Sequence, residues 1–401
     1  MNDTLVDDVL DPSTALSDKQ EKTLILLQIG SSVLSLIGSS VIVFKIIRGL
    51  HREQSSSPYD RIILGLSSCD VISSLTYAVG PFLLPSDTSD RVWAFGNDTT
   101  CTWLGFLTQL ACFWAIWYNC ILSFYYLLTV RFQVKRTEFT RKYELWMHLS
   151  GAIFFPITSV IGLVGDFYSE ERYAMICWIG EVPKGCYETG NCWGELVAYI
   201  YGAPSTLITL LSLIINNTII YIFVRKNLGS SPPSTGEDCE TGSQTTETSS
   251  QRLTVQERLR KEAAIQGFLY VSTFMLTFLP AFAIQVLEGM TKFGDENLAQ
   301  MYPLLVMNSI LLPLQGFFNV FIYVRPSYKR FRAAQPDKPL PFILKKALFD
   351  PNIPRISTVI LSGDQTRASD KYTEMKKKSG SNFSMTLGNI VEENVTSAVN
   401  K

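Results

Sequence analysis

Charge and histidine are what this sequence has least of. Asp, Glu, Lys and Arg make up only 18% of its 401 residues, against about 25% in an ordinary soluble domain. With hydrophobic residues at 47%, there is too little polar surface to cover a large water-soluble fold. The net charge is −1, so bulk electrostatics give no reason to expect a polyanionic partner, and nucleic acid is not expected. The two histidines, His51 and His148, are too few for the metal cluster of a membrane hydrolase, and no metal, cofactor or enzymatic activity is expected. The stretch 1–22 is acidic and lacks a basic n-region. It is therefore read as an extracellular segment without a cleavable signal, and the first apolar run as its own insertion signal.

What is present instead is a series of long apolar runs. A helical span needs roughly 20 such residues, and seven runs qualify: 23–47, 62–84, 101–130, 145–164, 193–224, 265–287 and 304–324. The expected fold is an all-α membrane bundle over 23–335. The third run is the longest without charge. Gly30, Ser31, Gly38, Ser39 and Ser40 in the first span let neighbouring helices come close. The stretch 227–251 is rich in Ser, Thr, Glu and Pro and is expected to be a disordered loop. After the seventh span, 327–335 interleaves basic residues with Tyr328 and Phe331, which suits a short amphipathic eighth helix in the interface. The remainder, 336–401, reads as a polar tail.

The connections alternate in charge. Lys45, Arg48 and Arg52, then Arg131, Lys135 and Arg136, then Arg225, Lys226 and Arg258 mark one side, while Asp87, Asp90, Glu170, Glu171 and Asp295 mark the other. The positive-inside rule then puts the N-terminus outside and the C-terminus in the cytosol of a multi-pass protein of the plasma membrane. Cys101, Cys177, Cys186 and Cys192 fall on the oxidising side. Cys101 and Cys177 are candidates for one disulfide and Cys186 with Cys192 for a second, the alternative being free thiols. Asn2 and Asn97 each begin an Asn-Asp-Thr acceptor for an N-linked glycan.

Asp70 is the one acidic residue well inside an apolar run, and a charge at that depth requires a partner. Asn119, Asn319 and Tyr323 are the polar groups with which it would form an intramembrane switch, the alternative being a protonated carboxyl that only fixes packing. Pro280 in the sixth span is the candidate hinge, because a flexible loop alone joins that span to the fifth. Trp114, Trp117, Tyr118, Tyr199, Tyr201, Phe282 and Gln285 are placed in the outer halves as candidate ligand-pocket residues, although aromatic residues at helical spacing more often simply pack.

Several motifs resemble those of seven-transmembrane G-protein-coupled receptors. Trp93-Ala94-Phe95-Gly96 ahead of Cys101 resembles the first outer-loop signature of rhodopsin-like receptors. Leu66-Ser67-Ser68-Cys69-Asp70 resembles their second-span acidic motif, and Asn319-Val320-Phe321-Ile322-Tyr323 their seventh-span motif with Val320 in place of proline. The third span ends Tyr125-Tyr126-Leu127, so the Asp/Glu-Arg-Tyr switch is missing. Cys177-Trp178-Ile179, Leu314-Gln315-Gly316-Phe317-Phe318-Asn319 and Gly38-Ser39-Ser40 are similar instead to slime-mould cyclic-AMP receptors and to fungal and protist nutrient receptors.

The resemblance implies a receptor for an extracellular small molecule or peptide that activates a heterotrimeric G protein by outward movement of the sixth helix. Arrestin-like or kinase regulators would then act on Ser/Thr sites of the inner loop and tail. The last span holds no lysine, which excludes a retinal Schiff base. A small-solute transporter is the alternative, although neither an internal repeat nor paired half-helices stand out.

Overall fold

The computed structural model describes residues 16–51, 57–86, 91–170, 175–180, 194–228, 244–290 and 298–349, with side chains given for 207–226 and 260–287 in the helices containing those stretches. Nine helices are described: α1 (Asp18–Leu50), α2 (Pro58–Val79), α3 (Asp98–Val130), α4 (Arg136–Val164), α5 (Gly194–Leu228), α6 (Gln244–Met290), α7 (Leu298–Leu311), α8 (Gln315–Ala334) and α9 (Leu340–Phe349). Among them, α1 to α6 each contain a segment long and apolar enough to cross a membrane, and the bent pair α7–α8 makes a seventh if it counts as one span. This set is compatible with a multi-pass membrane protein.

The first three helices start outside the apolar runs because capping boxes start them. Ser17 caps α1 with Gln20, Ser57 caps α2 with Asp60 just before Pro58 at its first position, and Asn97 caps α3 with Thr100. Each box satisfies amide hydrogens that the first helical turn leaves unpaired. The fourth helix begins at Arg136, before its apolar run, and relaxes through a π turn at Thr140–Glu144. The seventh apolar run is broken: α7 and α8 meet at 46° across Leu312, Pro313 and Leu314.

Three expectations need correction. Residues 244–251, read as disordered, form the first turns of α6, whose sequence runs on into the strong helix formers Gln256, Glu257, Arg258 and Leu259. The stretch 327–335 is not a separate amphipathic helix, because α8 continues through Pro326 as far as Ala334. The short helix lies later, in what was read as tail: α9 buries Ile343 and Ala347 while leaving Leu340 and Phe342 exposed, and Lys45 Nζ of α1 donates to the Ala347 carbonyl. Residues 229–243 and 350–401 lie outside the described residues.

Helix α3 is the centre of the arrangement. It packs against α2, α4, α5 and α6, while α1 lies against α2, α7 and α8, and α6 lies against α5, α7 and α8. An antiparallel hairpin, β1 (Tyr168–Glu170) and β2 (Cys177–Ile179), with Tyr168 opposite Ile179, rests on one end of α3. Outward-facing side chains such as Trp146, Ile161 and Val164 are exposed by 68%, 56% and 81%. Apolar residues with no protein neighbour are what a lipid-facing surface needs.

Candidate functional site in the bundle interior

Asp70 of α2 is 3% exposed and Asn319 of α8 is 2% exposed; Nδ2 of Asn319 donates to the Asp70 carboxylate at 2.9 Å. Beside them is a small cavity lined by Ser35, Ser73, Tyr77, Cys112 and Gln315, with Phe278 of α6 and Pro313 at the α7–α8 bend. The bend helps to expose backbone here. The Gly316 amide, which lies in the first turn of α8, donates to Ser35 Oγ of α1 at 3.0 Å. Oxygens of Ser39 and Ser67 and the amide nitrogen of Gln315 are buried without a hydrogen-bond partner. Of these, Gln315 lines the cavity with Asp70, where an unpaired amide nitrogen can hold water. No group of three or more His, Cys, Asp or Glu side chains able to hold a metal occurs among the described residues.

Of the four residues expected to form the intramembrane switch, the structure joins two. Asn119 instead donates to the Ala115 carbonyl of its own helix at 2.9 Å. Tyr323 lies one helical turn beyond Asn319, where its ring stacks on Tyr59 with centroids 6.4 Å apart. The cavity residues Ser35, Tyr77 and Cys112 were not proposed as site residues from sequence, and Gln315 entered only through the motif at 314–319.

Among the described residues, three of the aromatic side chains proposed for a ligand pocket pack where α3 meets α4. Trp114, Trp117 and Tyr118 lie 13 to 17 residues along α3 from Cys101, roughly 20–25 Å of helix. Trp117 Nε1 donates to the Met147 carbonyl at 3.0 Å, and Tyr118 Oη is 3.1 Å from His148 Nδ1. These rings fill the seam between α3 and α4. Phe282 and Gln285 are half-buried near one end of α6. Tyr199 and Tyr201 lie outside the described side chains, as do Asn2, Cys186 and Cys192. Pro280 lies inside α6 and is buried.

At the hairpin end, Cys177 is joined to Cys101 by a disulfide across 76 residues of chain. Tyr168 sinks completely between α3 and α4, with its hydroxyl hydrogen-bonded to Gln109 Oε1 at 2.5 Å and the Ser159 carbonyl at 3.0 Å. The residues before Cys177 reach into the bundle. Met175 packs with Leu24, Ile25, Ile284 and Leu305, and Ile176 packs with Tyr77 and Cys112. Gln28 Nε2 donates to the carbonyls of Tyr77 and Met175 at 2.9 and 3.4 Å. The strand therefore covers the polar cavity from this end. Asn97 is exposed beside the hairpin, and its Oδ1 caps α3.

At the opposite end, Arg61 of α2 makes a two-pronged pair with Glu144, Nε to Oε1 at 2.5 Å and Nη2 to Oε2 at 2.6 Å. Arg131, at the end of α3, lies over the rings of Phe132 and Phe223 at 5.5 and 5.1 Å. No family model matches the chain, and a search of curated proteins finds no significant relative.

Proposed function

We propose that the chain is a plasma-membrane receptor of the seven-transmembrane G-protein-coupled kind, with α7 and α8 together forming the seventh span. On this reading the hairpin end is extracellular and the ends of α3 and α6 near Arg131 and Arg260 are cytosolic. One observation carries it: α3 touches four other spans, while α1, α7 and α8 complete the ring around it. That leaves a single central helix able to sense both ends of the bundle.

A ligand arriving from outside meets the tethered strand 175–179 first. Because this strand covers the cavity at Asp70 and Asn319, a ligand that shifts it changes how α2, α6 and α8 pack. The cytosolic end of α6 then moves outward and exposes a groove for a G-protein helix. Kinases and arrestin-like proteins would end the signal.

The experiment is a G-protein activation assay on membranes containing the full chain, run against nucleotides, amines, sugars and peptides across the Gα classes. Ligand-dependent nucleotide exchange supports the reading. Failure in every class, together with solute flux in proteoliposomes, would sink it in favour of transport.

A further inference from the structure

We propose that Gln266 and Tyr59 form a latch that holds the inner end of α6 against α2 and α8, and that its opening is the switch of this chain. The inference rests on the receptor reading above and names the contact that reading lacks. At the end of α3, Arg131 lies over the rings of Phe132 and Phe223.

The latch begins with a defect in α8. Pro326 has no amide hydrogen, so the carbonyl four residues earlier, on Ile322, loses its helical donor. Gln266 of α6 fills that place: its Nε2 is 3.5 Å from the Ile322 oxygen and donates to Tyr59 Oη of α2 at 2.8 Å. Tyr59 Oη is also 3.1 Å from Tyr270 Oη, one turn further along α6. Gln266, Tyr59 and Tyr270 are 6%, 6% and 2% exposed. One turn in the other direction along α6, Glu262 pairs with Arg325 at 3.1 Å and Lys329 at 2.9 Å on α8. Two layers, one buried and one at the surface, therefore tie the same face of α6 to the same helix.

Outward movement of α6 must withdraw the Gln266 amide. Until water or a partner enters, it would leave the Ile322 carbonyl short of a donor and take one donor from Tyr59 Oη, so the closed arrangement is favoured by about 10- to 100-fold. A partner entering the opened groove, or water admitted with it, can supply the missing donors. Tyr59 itself stays in place, because the rings of Tyr323 and Tyr126 lie 6.4 and 6.2 Å from its own. It is a fixed anchor, and Gln266 is the part that moves. Both are positioning residues.

The test uses the full chain in lipid nanodiscs, with spin labels on Phe132→Cys at the end of α3 and Lys261→Cys on α6. Distances from double electron–electron resonance are compared with ligand-free G-protein nucleotide exchange. Gln266→Leu and Tyr59→Phe are expected to raise the long-distance population by about fivefold or more. Tyr125→Phe, whose hydroxyl is buried without a hydrogen-bond partner, is expected to leave it unchanged. Glu262→Gln, at the surface, gives a smaller increase and remains interpretable if a buried variant fails to fold. Unchanged distances in all three latch variants overturn the latch, whatever the nucleotide assay shows. Longer distances without any rise in exchange keep the latch and overturn the receptor reading.

Discussion

Gly38 of α1 and Gly316 of α8 face each other so closely that neither helix has room for a side chain. A Cβ on Gly38 would sit 2.8 Å from the Gly316 carbonyl oxygen, and a Cβ on Gly316 would sit 2.0 Å from Ser39 Oγ, 2.7 Å from Ser35 Oγ and 3.0 Å from the Ser35 carbonyl oxygen. Close approach of backbones is how helices associate where no hydrophobic drive is available. Here it also brings Ser35 Oγ to the Gly316 amide.

Gly316→Ala is therefore expected to force α1 and α8 apart and to cost about 1–3 kcal/mol, the usual penalty for overpacking. Ser39→Gly in the same chain removes the nearest of the three obstructions and recovers part of the loss. Thermal unfolding in detergent reads both. Equal stability of Gly316→Ala and wild type would show that the two helices do not meet at this point.

The bond between Asn319 and Asp70 gives a second expectation. Asn319→Leu leaves a buried carboxyl without its amide donor and should destabilise by about 1–3 kcal/mol. Asp70→Leu combined with Asn319→Leu removes both polar partners, and the pair should cost less than the sum of the single changes. A double-mutant cycle in thermal unfolding measures that coupling. Strict additivity would mean the two residues do not interact.

The Asp70–Asn319 pair was within reach of the sequence because an acid inside an apolar run is rare, and its candidate partners were few. The helix starts were also written there, in Ser17/Gln20, Ser57/Asp60 and Asn97/Thr100. The apolar run alone placed them three to five residues late, because hydropathy marks membrane thickness and a capping box marks where a helix begins. Trp117 and Tyr118 reach Met147 and His148 of α4, and aromatic residues at helical spacing alone do not separate such a seam from a ligand pocket.

The latch was not legible at all. Tyr59, Gln266, Tyr270 and Ile322 belong to three different helices, and each is unremarkable in its own neighbourhood. In the sequence Pro326 is only a proline two residues past the seventh apolar run. Its use, a carbonyl left for another helix to fill, exists only once α6 and α8 are side by side.

A third prediction concerns Arg61 and Glu144. Their two-pronged pair ties α2 to α4, with the Glu144 side chain 7% exposed and that of Arg61 34% exposed. With one partner partly hydrated, Arg61→Gln is expected to cost about 1–2 kcal/mol. The reciprocal swap Arg61→Glu with Glu144→Arg should recover part of that loss, although the shorter acid no longer reaches in the same way. A swap as unstable as the worse single variant would show that position, and not charge pairing, sets the contribution.

The disulfide gives the fourth. Cys177 carries the strand whose residues Met175 and Ile176 pack into the bundle, and Cys101 fixes it to the first turn of α3. A crosslink closing a loop of this size stabilises by about 2–5 kcal/mol through the entropy it removes from the unfolded chain. In a background carrying Cys186→Ser and Cys192→Ser, Cys101→Ser, Cys177→Ser and the double variant should therefore all lower the melting temperature to the value that this background shows under reductant, and reductant should not lower them further. Hydrogen exchange over 175–179 should speed up in the same samples, because the strand then depends on packing alone. The same bond tests the orientation proposed above. On intact cells, a membrane-impermeant maleimide should label these two cysteines only after mild reduction. Labelling that needs permeabilised cells would place the hairpin on the cytosolic side.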